Sequence, residues 1–214
     1  CIMSTYKKNL KLLSQNNVYS KEMEHDACGV GLIASTEGKK SREVVEYGIE
    51  ALKAVWHRGA VDADGKTGDG AGIHLEIPKD FFVEKIEVTG HTHDGSDICV
   101  GMIFLPRNDY SSQESCKTIV ESELTKNDFS IYGWRQVPVN PKVLGEKAFQ
   151  TMPEIIQVLF KSNDKNLLDK DLERKIYETR KKIENKAFNL SLNNFYICSI
   201  SSKSIIYKGM FLAE

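Results

Sequence analysis

The chain lacks paired cysteines, an excess of one charge and any long apolar run. Its five cysteines, Cys1, Cys28, Cys99, Cys116 and Cys198, form no C-x-x-C pair. That leaves no zinc-ribbon or dithiol redox signature. An odd, scattered set in 214 residues suits a reducing cytoplasm better than a disulfide scaffold. Lys plus Arg is 29 and Asp plus Glu is 30, so no basic field points to nucleic acid or anionic lipid. No stretch approaches the ~20 apolar residues of a membrane span. The N-terminal Leu10-Lys11-Leu12-Leu13 is too short for the core of a secretory signal.

Several site motifs are missing as well. The glycines at 65–72 follow their lysine, so they make no phosphate-cradling G-x-x-x-x-G-K-[ST], and no G-x-G-x-x-G opens a helix. Asp64 and Asp69 lack EF-hand spacing and its closing glutamate. His91-Thr92-His93-Asp94 has no second ligand cluster, which favours a solvated loop over a metal site. No repeat or low-complexity segment interrupts the chain.

What remains is an ordinary globular composition, 41% hydrophobic and 28% charged. Residues 3–27 read as a polar leader. Met3 is the expected natural start, and the apolar run at the C-terminus suggests a truncated chain. Cys28-Gly29-Val30-Gly31-Leu32-Ile33-Ala34 reads as a buried strand headed by a thiol. Ser41 is placed to cap a helix through Val45, Ile49, Leu52 and Val55. A turn-rich loop over 61–70 leads to an alternating strand at 71–77. A helical turn follows at 80–82, and a polar loop at 89–97. The unbroken apolar run 98–105 predicts a strand covered on both faces. Helical spacing recurs at Cys116, Ile119, Val120 and Leu124. A strand is expected at 129–137, with short helices at 142–151 and 154–160. The clearest helix spans 169–190, with a Leu172, Ile176, Ile183, Ala187 and Leu190 stripe and Asp171/Lys175 and Glu178/Lys182 pairs. Segments 195–200 and 204–209 read as a hairpin. Together these elements imply an α+β domain of mostly antiparallel or mixed sheets covered by helices.

Cys28 has two readings on its own residues: a buried packing cysteine, or a nucleophile. The second needs a base, and no local histidine signature supplies one. Cleavage after Ala27 would, because Cys28 would then own an α-amino group with a reference pKa of about 7.7–8.0. Such an amine can take the thiol proton and return it to a leaving group. Arg58 likewise reads either as a solvated helix-terminal cation or as a guanidinium ordering a carboxylate pocket. Gly59 lets the backbone turn beside it.

Taken in order, these blocks resemble the class II glutamine amidotransferase domain of the glutamate synthase large-chain family. They are Cys28–Ala34, Trp56-His57-Arg58-Gly59-Ala60, the 63–72 loop, the 130–140 stretch, Val143-Leu144-Gly145-Glu146, 195–199 and 207–209. The resemblance implies an N-terminal-nucleophile sandwich (αββα), with residues 1–27 a removable leader and 28–214 an incomplete amidotransferase domain. It implies that Cys28 is the nucleophile on glutamine, with Gly29, Arg58, Gly59 and Asp69 lining the pocket and no metal. FMN and an iron–sulfur cluster are implied for the rest of a larger chain, which would reductively aminate 2-oxoglutarate with a small reductase subunit as a further partner. The family's H-Q-R-F-S-T arginine, oxyanion Asn-Gly pair and amine-holding aspartate are not among these residues, so the isolated segment is expected to be inactive. Another class II glutaminase subunit, or a catalytically silent domain of the same fold, are the alternative readings.

Overall fold

A computed structural model of the chain describes residues 8, 11, 12, 29–55, 61–167, 169–210 and 212. The chain divides into two units, Cys1–Val30 and Gly31–Glu214. In the first, Lys8, Lys11 and Leu12 are helical, while Gly29 and Val30 are irregular and exposed. The leader expected at 3–27 otherwise lies outside the described residues.

The second unit is built on β2 (Cys99–Leu105), whose apolar run needs cover on both faces and has it. β2 lies inside an antiparallel sheet of order β3-β4-β2-β5, with β3 Phe129–Gln136, β4 Glu154–Ser162 and β5 Tyr196–Ser201. Side chains alternate across it. Cys99, Ile103 and Leu105 join one core cluster with Val158, Phe160 and residues of α3 (Tyr110–Lys126) and α5 (Asp169–Asn189). Val100 and Met102 join a second cluster with Phe82 and Ile86 of α2 (Lys79–Val88) and Ile205 of β6 (Ser204–Gly209). The predicted apolar stripe of α3, Cys116, Ile119, Val120 and Leu124, is buried in the first cluster, and α4 (Glu146–Thr151) lies within the expected 142–151 stretch.

β6 pairs with β1 (Ala71–Glu76) in a separate two-stranded antiparallel sheet. α1 (Arg42–Ala54) packs on β1, with Gly48 against Ile73. Ser41 caps α1 as its sequence predicts, its hydroxyl accepting the Glu43 N–H at 3.1 Å. Two sheets in contact, with helices packed against them, give the expected α+β sandwich.

Five local expectations are corrected. Residues 154–160 are strand, not helix. The run is short, β-branched and bounded by two neighbours in the sheet, and sheet pairing decides what periodicity leaves open. Segments 196–201 and 204–209 are not a paired hairpin. β5 joins β2 and β6 joins β1, so the turn between them carries the chain from one sheet to the other. Glu173 holds that turn, accepting from Ser201 Oγ, Ser202 N and Ser202 Oγ at 2.7–3.0 Å. The helical turn at 80–82 is a ten-residue helix. On α5, Lys175 pairs with Asp128 and Lys182 donates to Asn127, so neither expected i,i+4 pair forms, and Leu190 falls beyond the helix, exposed. Finally, residues 29–35 are irregular rather than a buried strand, and Leu32 is 90% exposed. A strand requires a hydrogen-bonding neighbour, and no ladder among the described residues includes this run.

Candidate functional site

Cys28, Arg58 and Gly59 lie outside the described residues. Gly29 and Asp69 are described, one in each unit, and both are exposed. The chain passes α1 at Gly31, where a Cβ would stand 3.9 Å from the Ala51 Cβ.

The loop before β1 is the best-defined part of the expected site. Val61 and Gly68 form an antiparallel bridge, and Asp62 N donates to Thr67 O at 2.8 Å, so 61–68 is a closed hairpin. Asp64 organises its tip. Its carboxylate accepts from Lys66 N at 2.9 Å, Thr67 N at 2.7 Å and Thr67 Oγ1 at 2.5 Å. The Thr67 hydroxyl, then these N–H groups, hold the Asp64 carboxyl well below the usual carboxylate range. Asp62 bonds Lys147 Nζ at 2.7 Å, and that ammonium lowers the Asp62 pKa and has its own raised in return. Asp69 follows directly. At Gly70 the backbone turns through φ +114, and a Cβ would stand 3.0 Å from the Gly209 carbonyl oxygen at the end of β6. Only glycine combines that φ with so close an approach.

The three described cysteines are not candidate nucleophiles. Cys99, Cys116 and Cys198 are free and buried. Burial pushes the Cys116 thiol up to about 11 and raises the other two. A protonated, inaccessible thiol is inert.

His91 and His93 serve local structure. His93 Nε2 bonds Ser96 O at 2.8 Å, Asp94 bonds Lys161 Nζ at 2.6 Å, and both imidazoles flank Tyr132. Among the described residues, no group of three His, Cys, Asp or Glu side chains is placed to hold a metal. No described helix is long and apolar enough to cross a membrane.

Among the buried polar groups that the sequence reading does not single out is a side chain at the centre of the larger sheet. Gln157 on β4 is wholly buried, accepts from Arg135 Nη1 at 2.7 Å and donates to Tyr207 OH at 3.1 Å. It joins β3, β4 and β6 in one network. Its lone polar side chain within an apolar run was the available signal.

Comparison with known proteins places these features in a family. The sequence model described as glutamine amidotransferases class-II matches residues 28–214. The chain is 52% identical over 212 residues to the glutamate synthase [NADPH] large chain of Azospirillum brasilense, covering 99% of this chain and 14% of that one. It is 41% identical over 193 residues to ferredoxin-dependent glutamate synthase 1 of Arabidopsis thaliana, covering 89% of this chain and 12% of that one. With the ferredoxin-dependent glutamate synthase of Pyropia yezoensis the identity is 39% over 205 residues, covering 94% and 13%. The chain thus spans only a small fraction of the length of these relatives. From Cys28 onward, this chain belongs to the class II glutamine amidotransferases.

Proposed function

We propose that this chain carries the glutaminase half-reaction of a glutamate synthase, with Cys28 as its nucleophile. The supporting observation is that the family match begins at Cys28 itself, not at residue 1. Residues 1–27 are then a leader whose removal turns the Cys28 amide nitrogen into an amine. That amine takes the thiol proton, and the thiolate attacks the side-chain amide carbonyl of glutamine. The C–N bond breaks as the amine returns the proton to nitrogen, releasing ammonia and leaving a γ-glutamyl thioester. Water hydrolyses the thioester to glutamate and regenerates the thiol. Arg58, Gly59, Gly29 and Asp69 line the glutamine pocket in this reading.

The ammonia serves reductive amination of 2-oxoglutarate in the rest of a larger chain, where FMN and an iron–sulfur cluster belong. A small reductase subunit is a partner of that larger protein. The compartment is the cytoplasm, a reading supported by the three free described cysteines.

This chain's own residues do not include the family's oxyanion pair. Losing one such donor typically costs ~2.7–4 kcal/mol in the transition state. The 214-residue segment alone is therefore proposed to hydrolyse no glutamine at a useful rate. The full-length parent should release ammonia and glutamate in equal amounts from glutamine, with a rate that falls as pH drops below about 7.7–8.0. Absence of glutamine hydrolysis by the full-length protein would overturn the reading.

A further inference from the structure

Two blocks far apart in the sequence, the 61–68 hairpin and residues 145–147, meet in the structure. Gly145 has φ −71 and ψ 166, a conformation open to any residue. What it lacks is room. A Cβ there would stand 2.6 Å from the Thr67 backbone nitrogen, and closer still to Asp64 Oδ2 and Thr67 Oγ1. The hairpin tip is thus seated on the Gly145 backbone. Thr67 is buried at 4% exposure, although its hairpin neighbours Ala63 to Lys66 are exposed. Asp62 adds its bond to Lys147 two residues along. The hairpin is clamped at its tip by Gly145 and closed at its base by the Val61–Gly68 bridge.

On its C-terminal side that base continues directly into Asp69, which the glutaminase reading assigns to the pocket. Asp69 lies between two fixed points: Gly68, buried in the bridge, and Gly70, pressed against the end of β6. An exposed loop with this many internal bonds contributes little to the cores, since none of its residues enters either cluster.

We propose that Asp64, Thr67 and Gly145 are positioning residues for glutamine, and that their clamp sets the placement of Asp69. The inference rests on the glutaminase reading above. The clamp touches no substrate and acts through the chain it holds. Its loss should therefore weaken glutamine binding more than it slows the chemistry at Cys28.

The test uses the full-length parent protein and four forms: wild type, Thr67→Val, Thr67→Ser and Gly145→Ala. Thr67→Val removes the hydroxyl that Asp64 accepts, Thr67→Ser keeps it, and Gly145→Ala fills the seat. The expected result is a KM for glutamine raised about 10-fold by Thr67→Val and Gly145→Ala, with kcat within about 3-fold of wild type. Thr67→Ser should restore the wild-type KM. Turnover with ammonium chloride in place of glutamine should be unchanged in all four. An active wild type whose KM is unmoved by Thr67→Val, or a Thr67→Ser as impaired as Thr67→Val, would overturn the clamp alone. A wild type that hydrolyses no glutamine would overturn the glutaminase reading, and the clamp with it.

Discussion

The four-stranded sheet and the segment after Cys28 are both rich in apolar residues, yet they bury them very differently. In the sheet, Val100, Ile103, Val158, Leu159 and Phe160 are all 0% exposed. In the segment, Val30 and Leu32 are each 90% exposed, and α1 contains no buried residue. The difference lies in partners. β2 and β4 each have a strand on both sides and packing on both faces. Residues 29–35 have no strand beside them among those described. Stability therefore resides in the sheet with α3 and α5, while residues 29–35, which follow the proposed nucleophile, contribute little to it.

That contrast is breakable in several ways. The largest expected effect is on rate without stability. Cys28→Ser in the full-length protein should lower glutamine hydrolysis by roughly 10³-fold or more and leave the unfolding midpoint unchanged. A parallel loss of stability would show that Cys28 is a packing residue after all. Next in size is the core. Phe160 stacks edge-to-face on Phe129 at 5.3 Å between two covered faces. Phe160→Ala should cost about 3–5 kcal/mol in urea unfolding. Leu32→Ser should change stability by no more than about 0.5 kcal/mol, as an exposed position does. Equal costs would erase the distinction between the two regions.

A smaller effect sharpens the description of the stable half. Glu123 of α3 is buried at 5% exposure and bonds Lys186 of α5, with Lys126 at 3.8 Å. The Lys186 ammonium is the main cause holding the Glu123 carboxyl below its usual range. Its contribution is thus fully present above the unfolded value of about 4.3 and is lost as pH falls through the depressed folded value. Lys186→Met should destabilise by about 1 kcal/mol at pH 7. The gap from wild type should close on acidification below about pH 4. A gap independent of pH would assign the loss to packing instead.

Much of the stable half was readable from local pattern. Leu172, Ile176, Ile183 and Ala187 are the buried stripe of α5, and the apolar run of β2 is covered on both faces as its composition requires. Ser41 announces its helix by a hydroxyl two residues from the N–H that it accepts. What escaped depends on distant partners. Residues 154–160 are strand because β2 and β3 flank them, and β6 leaves the sheet of β5 because β1 lies elsewhere to receive it. For the proposed site, Cys28 and Arg58 stand out in the sequence only as members of ordered blocks, and both lie outside the described residues. The seat of Asp64 and Thr67 on Gly145 was not legible at all, since nothing local distinguishes a glycine needed for room from one needed for its φ.

The central claim is that Cys28 becomes a nucleophile by becoming the first residue. Mass spectrometry of the full-length protein purified from its native cell, before and after treatment with the glutamine-analogue electrophile diazo-oxo-norleucine, tests it directly. The account predicts a mature N-terminus at Cys28 and one adduct on that residue. A protein that retains Met3–Ala27 with Cys28 unlabelled would contradict it.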